Sequence, residues 1–490
     1  MANPASTSSI DRRASRIPPA TRHSVEHTRV RSFAGPFVFI AFHAALALAV
    51  VRVQQAAILH AGLVLAVGLW WALTKPVEQV AYVGAYIAGA EVFWRMNGVN
   101  TVLPWEFGKY STTAIFGLAM IRSRTNRIPS LALFYFLSLT PSILQLMPFT
   151  DLRDTLNDLS FNLSGALALT VCAGLCSNLT IGVEQLEKLM VALIAPVTAI
   201  ATLAARSILI SSYRSWGPSA SNFLASAGYG PNQVSAALGL GLVAVWLLLV
   251  YGRYRGLAVL SLMALGLWFL AQALLTFSRG GAANALIAAG AGLFHALLHP
   301  KLRGRAIGLL LVGFLASSVL LIPKLEVLTA DALGIRFRST SLTGREELAQ
   351  AEIQVFREHP LMGVGPGQTD QYLASAVGHR SATHTEYTRL LAEHGLLGLT
   401  AIILLLAMAW RNYQKAGNDL AARGVIATAL VWGLAFMAHS AMRLTAPSLL
   451  IGLTAAGFSL RREQHRSVGK AIRGLHLNRK AAYPNRPQPS

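Results

Sequence analysis

Fourteen apolar runs punctuate the chain, at 34–53, 56–73, 77–96, 102–121, 128–147, 160–180, 186–205, 233–251, 256–275, 281–298, 304–322, 395–410, 422–439 and 444–460. Each comes close to the roughly 20 apolar residues that a helix needs to cross the hydrocarbon of a bilayer. Inside that hydrocarbon every backbone polar group must be bonded within the protein, so a helix is the form such runs can take. Charged residues make up 13% of the 490 and hydrophobic ones 54%, whereas soluble domains carry about a quarter charged. A soluble enzyme and a single-span receptor are excluded. The fold class expected is an all-α polytopic membrane protein of about 14 spans. The run at 102–121 is the weakest, because it holds Glu106 and Lys109; without it and one neighbour, twelve spans remain.

The excess of 42 Lys+Arg over 21 Asp+Glu gives a net charge of +21, and its placement points to topology rather than to nucleic acid. Basic tails at 1–31 and 461–490 mark both ends as cytoplasmic. From that start, the connections falling inside hold Arg122, Arg124 and Arg127, then Arg253 and Arg255, then Lys301, Arg303 and Arg305, then Arg411, Lys415 and Arg423. The positive-inside rule is met at each. No apolar signal segment precedes the first span, which is expected to act as an uncleaved anchor. Cys172 and Cys176 lie four apart within an apolar run, as expected of buried helix residues with neither a disulfide framework nor a zinc site.

The expected organisation is a tail over 1–31, eleven spans over 32–322, an outer segment over 323–394, three spans over 395–460 and a tail over 461–490. Two shorter outer segments lie at 148–159, with Asp151, Asp154 and Asp158, and at 206–232, with Arg206 and Arg214. Segment 323–394 is too long for a turn and must fold on the outer face. Within it, Leu348, Ala351, Val355 and Phe356 follow helical spacing, and Pro360 ends the helix. Thr343 with Glu346 forms a capping box that places Arg345 in the first turn. GVGPGQ follows, with Gly363, Gly365 and Gly367; it lacks both dinucleotide and P-loop spacing, and suits either a plain turn or a tight backbone approach to a head group. Thr383 and Glu386 make a second box, with His384 at the first helical position. A histidine there can be a polar surface residue, but the helix N-terminus also attracts anions and favours the neutral imidazole that a general base needs. Arg279 sits in the short turn Ser278-Arg279-Gly280-Gly281, either snorkelling at a helix end or binding. Glu91 and Arg95 have the spacing of an ion pair, and His439 and Arg443 flank the last outer turn without an assigned role.

SRGG at the head of a span, GREE followed by HPLMGVGPGQ, and His384-Thr385 leading to Gly395-Leu-Leu-Gly398 together resemble the O-antigen ligase family, which includes polysaccharide polymerases. The resemblance covers about 200–445. Ligases usually carry Asn, Ser or Gln where this chain has Thr385, and commonly twelve spans. It implies a bundle like that of the C-type glycosyltransferases, with one large periplasmic loop and a groove open to the outer leaflet of the bacterial inner membrane. The donor implied is an undecaprenyl-diphosphate-linked glycan and the acceptor a glycan or lipid A core, with no cofactor or metal because the lipid diphosphate is already the leaving group. Carried over by motif, His384 is the base, Arg279 and Arg345 bind the diphosphate, and Arg214 is a third candidate. Ligation to lipid A core is the leading function and polymerisation of lipid-linked repeats the alternative. A flippase or transporter is a more distant alternative, disfavoured by the lack of an internal repeat.

Overall fold

The computed structural model describes residues 33–124, 127–146, 151–211, 216–339, 345–377 and 385–460. Each of the fourteen runs holds a helix. In chain order the first nine are α1 (Ala34–Arg52), α2 (Gln55–Thr74), α3 (Val77–Met96), α4 (Phe107–Ser123), α5 (Ser130–Leu139), α6 (Leu152–Cys176), α7 (Val183–Ile210), α8 (Pro231–Tyr251) and α9 (Leu257–Leu275). Then come α10 (Arg279–Leu298), α11 (Arg303–Leu315), α12 (Ile322–Thr329), α13 (Ala332–Arg338), α14 (Arg345–Glu358), α15 (Thr369–Val377), α16 (Glu386–Lys415), α17 (Leu420–Met437) and α18 (Thr445–Leu453). A π-helical stretch joins α11 to α12 into one rod, Arg303–Thr329. Among the described residues, ten helices are long and apolar enough to cross a membrane. The chain is an all-α polytopic membrane protein, with one short parallel pairing of 180–182 with 457–459.

The helices differ sharply in how far the protein covers them. In α8 89% of the span window is buried, but in the Arg303–Thr329 rod only 6%. Thus α8 stands at the centre, packed on α7, α9 and α10, whereas the rod leaves Leu310, Leu311, Phe314 and Leu315 exposed, as a lipid-facing helix does. Glycines let the central helices approach closely: a Cβ on Gly239 of α8 would lie 2.3 Å from the Gly281 carbonyl oxygen of α10. Cys172 and Cys176 are free and buried in α6.

Bonds at the helix ends link connections of the same expected side. Arg305 donates to the carbonyls of Gly252 and Tyr254, and Arg253 pairs with Glu187. At the opposite end, Arg95 and Glu91 form a buried pair at 2.7 Å, the pairing expected from their spacing but with more partners. Arg95 also donates to Gln233 and to the carbonyls of Trp105 and Arg443, while Glu91 accepts from the Thr445 amide. This network ties α3 to α8 and α18. The weakest run contributes α4, in which Lys109 is buried and donates to the Met442 carbonyl.

Removing one member of a buried pair strands the other charge, at a cost of about 3–5 kcal/mol. Glu91→Leu is expected to lose about that much stability in denaturant titrations in detergent. Adding Arg95→Met should restore part of the loss, because the Arg95 guanidinium is then no longer buried without its carboxylate.

Candidate active site

The Ser278-Arg279-Gly280-Gly281 turn is held on every side. Phe277 takes a left-handed φ of 57° that turns the chain from α9 into α10. The Ser278 hydroxyl donates to Asn232, and its carbonyl accepts from Ser235, both on α8. A Cβ on Gly281 would lie 2.2 Å from the Ser235 backbone and one on Gly280 2.9 Å from the His439 ring. The two glycines therefore let the first turn of α10 lie against α8 and against His439. Arg279, in that turn, donates to the Ser339 carbonyl just after α13.

Three more cationic or basic groups converge there. Arg345 opens α14, and burial and the Arg279 charge hold its guanidinium below the usual arginine range. Arg336 of α13 is lowered by burial and by Arg279 and Arg345, while donating to the carbonyls of Phe277 and Ser219. His439, in the turn after α17, is lowered to about 4 by burial and Arg345, and its Nε2 has no hydrogen-bond partner among the described residues. Positive groups that depress one another are relieved by an anion, and planar guanidinium forks suit phosphate oxygens. The N-terminus of α10 adds partial positive charge at Arg279.

GVGPGQ acts as a splint on a broken helix. Inside α16, Gly395 takes φ 60° and ψ −135°, which interrupts the helix. The carbonyls left open before the break, Ala392 and Glu393, accept from the amides of Val364 and Gly365 at 3.0 Å, and the Leu396 amide after it donates to the Pro360 carbonyl at 2.7 Å. Gly363, Gly365 and Gly367 have φ of 67°, 97° and 81°. Added Cβ atoms would meet the Glu393–His394 backbone at Gly363, Gln145 and Leu146 at Gly365, and Asp158 and Asn162 at Gly367. The close backbone approach expected of these glycines is thus made to protein.

Sequence reasoning missed the group that anchors this end of α16. Arg389 is buried and pairs with Glu386 at 2.6 Å and with Glu393, and it donates to Asn162 of α6. Glu386 also accepts from the Met442 amide. Glu386 is therefore engaged in tertiary pairing, and the expected helix start is corrected. Thr385 is the N-cap, its hydroxyl accepting from the Thr388 amide at 3.1 Å, and the helix begins at Glu386 rather than at His384. The Thr388 hydroxyl donates to Glu352 of α14, a second residue that sequence reasoning missed. Glu352 is 1% exposed, its carboxyl is raised to about 7 mainly by burial, and its Oε1 has no partner among the described residues. His384, Arg214, Thr343 and Thr383 lie outside the described residues.

The family model for O-antigen ligase matches residues 264–403. This stretch is an O-antigen ligase domain. It runs from within α9 to within α16 and so contains the SRGG turn, Arg336, Arg345, Glu352, GVGPGQ and Gly395. The match supports a membrane enzyme of the ligase or polymerase type, related to glycosyltransferases. No curated protein matches the chain.

Gly395→Ala should be strongly disruptive. Its Cβ would lie 2.5 Å from the Pro360 carbonyl oxygen at a positive φ; the backbone strain alone costs about 1–3 kcal/mol. Gly313→Ala, with nothing within 4 Å of the new atom, is the control. Melting of the two variants in detergent should show a clear drop for the first and none for the second.

Proposed function

We propose that the protein transfers a glycan from undecaprenyl diphosphate to a sugar hydroxyl at the periplasmic face of the bacterial inner membrane, ligating surface polysaccharide to lipid A core. The observation that carries this reading is the convergence of Arg279, Arg336 and Arg345 of the ligase domain with His439, which lies beyond it in the chain. In the reaction the acceptor oxygen attacks the anomeric carbon, and the bond to the diphosphate breaks with its electron pair. Arg279 and Arg345 neutralise the charge that develops on the leaving diphosphate, and His384 takes the acceptor proton. Arg214 is a further diphosphate ligand in this reading. The arginines and the good leaving group make a metal or nucleotide sugar unnecessary.

The purified enzyme with a lipid-linked glycan donor tests these roles. His384→Ala should lower turnover by about 10² to 10⁴ and leave donor affinity near wild type. With a base that must be neutral, activity falls as pH drops through the imidazole range. Arg345→Lys should be nearly as damaging as Arg345→Ala, since Lys lacks the planar fork. Wild-type turnover in the His384 variant would remove the assigned base, and full activity in Arg345→Lys the forked contact. In cells, loss of the gene leaving free lipid-linked polymer beside bare core supports ligation, whereas capped but unpolymerised core supports the polymerase alternative.

The orientation rests on the basic connections. Cys172 and Cys176 are fully buried and should stay unlabelled. Gln371→Cys, at an exposed position of α15, should react with an impermeant maleimide in cells with an opened outer membrane, and Lys301→Cys only after lysis. The reverse pattern would invert the topology.

A further inference from the structure

The starts of α9 and of the Arg303–Thr329 rod lie at the same end of the bundle, and a groove of about 700 Å³ runs between them. Clefts that hold small ligands measure about 300–1,000 Å³. Leu302, Arg305 and Leu309 line it from the rod, at i, i+3 and i+7, and Gly256, Val259 and Leu260 from α9, at i, i+3 and i+4. Each set is one stripe of its helix. Gly256, with a φ of 55°, turns the chain into α9. Further along, α9 touches the rod at its π-helical stretch, Ala316–Leu321.

Charge and apolar surface are segregated in this groove. Arg305 donates to the carbonyls of Gly252 and Tyr254 at 2.8 and 3.0 Å, which holds its guanidinium beside the residues ahead of α9. Arg255 and Lys301, both exposed, line the same mouth, and no Asp or Glu lines the groove. The N-termini of α9 and α11 add partial positive charge there. Val259, Leu260 and Leu309 follow these charges along the two helices. Leu260 is 63% exposed and only 6% of the rod's span window is buried, so the apolar side opens to the acyl chains of the bilayer.

A free anion would answer the three cations and leave the leucines bare, and a zwitterionic lipid would cover the leucines without supplying net charge. The chain's own residues 1–31, with Arg12, Arg13, Arg16, Arg22, Arg29 and Arg31 against Asp11 and Glu26, have the wrong sign. We propose that the groove binds an anionic phospholipid of the adjoining leaflet, with its phosphodiester among Arg255, Lys301 and Arg305 and an acyl chain along Val259, Leu260 and Leu309. Basic pockets between membrane helices suit such head groups. Arg305, fixed by its two carbonyls, sets the place of the phosphate, and the exposed Arg255 and Lys301 close on it. The lipid then joins α9 to a rod that the protein itself covers little.

Native mass spectrometry of the full-length protein in a neutral detergent, titrated with phosphatidylglycerol or phosphatidylcholine, tests the site. The first phosphatidylglycerol should be held on the order of tenfold or more tighter than the first phosphatidylcholine. Arg255→Gln combined with Lys301→Gln should remove that preference, and because both side chains are exposed its lipid-free melting should match wild type. Lys301→Gln alone should weaken the preference, whereas Arg303→Gln, an exposed cation at the same end that does not line the groove, should leave it unchanged. Millimolar inorganic phosphate should not displace the bound phosphatidylglycerol. Equal affinity of the wild type for the two lipids overturns the proposal, as does a double variant that keeps the preference. Equal losses in Lys301→Gln and Arg303→Gln would make the attraction diffuse, and displacement by phosphate would make this a free-anion site; either result also overturns it.

Discussion

The guanidinium of Arg389 is buried between the carboxylates of Glu386 and Glu393, and one end of the bundle is assembled around it. A cation there is tolerable only with its charge compensated and its donors bonded. Meeting that need recruits Asn162 from α6, while Glu386 reaches the Met442 amide in the loop before α18. Glu393 in turn takes the Gly367 amide, which fixes the end of GVGPGQ. One buried charge thus draws α6, α16, the last outer turn and the glycine turn to a common point, and the start of α16 inherits its position from it.

Two kinds of arginine coexist at this end. Arg95 and Arg389 each have carboxylates within 2.7 Å, and their work is to hold helices together. Arg336 and Arg345 instead feel one another and Arg279. Charges of one sign gathered in a partly dehydrated place depress one another. The α8–α10 contact is the rigid part of this device: Asn232 and Ser235 grip the SRGG turn, and Arg279 follows from it.

The helices were legible because a bilayer demands long apolar runs, and each run did produce a helix. Arg279 and Arg345 were legible through the motifs SRGG and GREE, and Arg279 opens a helix. Arg389 was not: Glu386, Arg389 and Glu393 at i, i+3 and i+7 look like a solvated charged face until Asn162 and the Met442 amide are brought against them. The same diversion of Glu386 defeated the capping box, because THTE offers two threonines and local spacing cannot say that the glutamate is claimed elsewhere. Glu352 was hidden for a related reason. It sits in an amphipathic helix whose apolar stripe was readable, but which polar residue turns inward depends on α16 packing beside it.

The break at Gly395 has its amide and carbonyl groups satisfied by residues 360–365, not by its own helix. The membrane helix is therefore incomplete as a secondary structure until the outer segment has docked, and the outer segment has no fixed end without the helix. The two must mature as one cooperative piece. A chimera that exchanges residues 323–394 between relatives would have to carry the backbone through Gly398 with it, because the seam lies inside a helix and not in a loop.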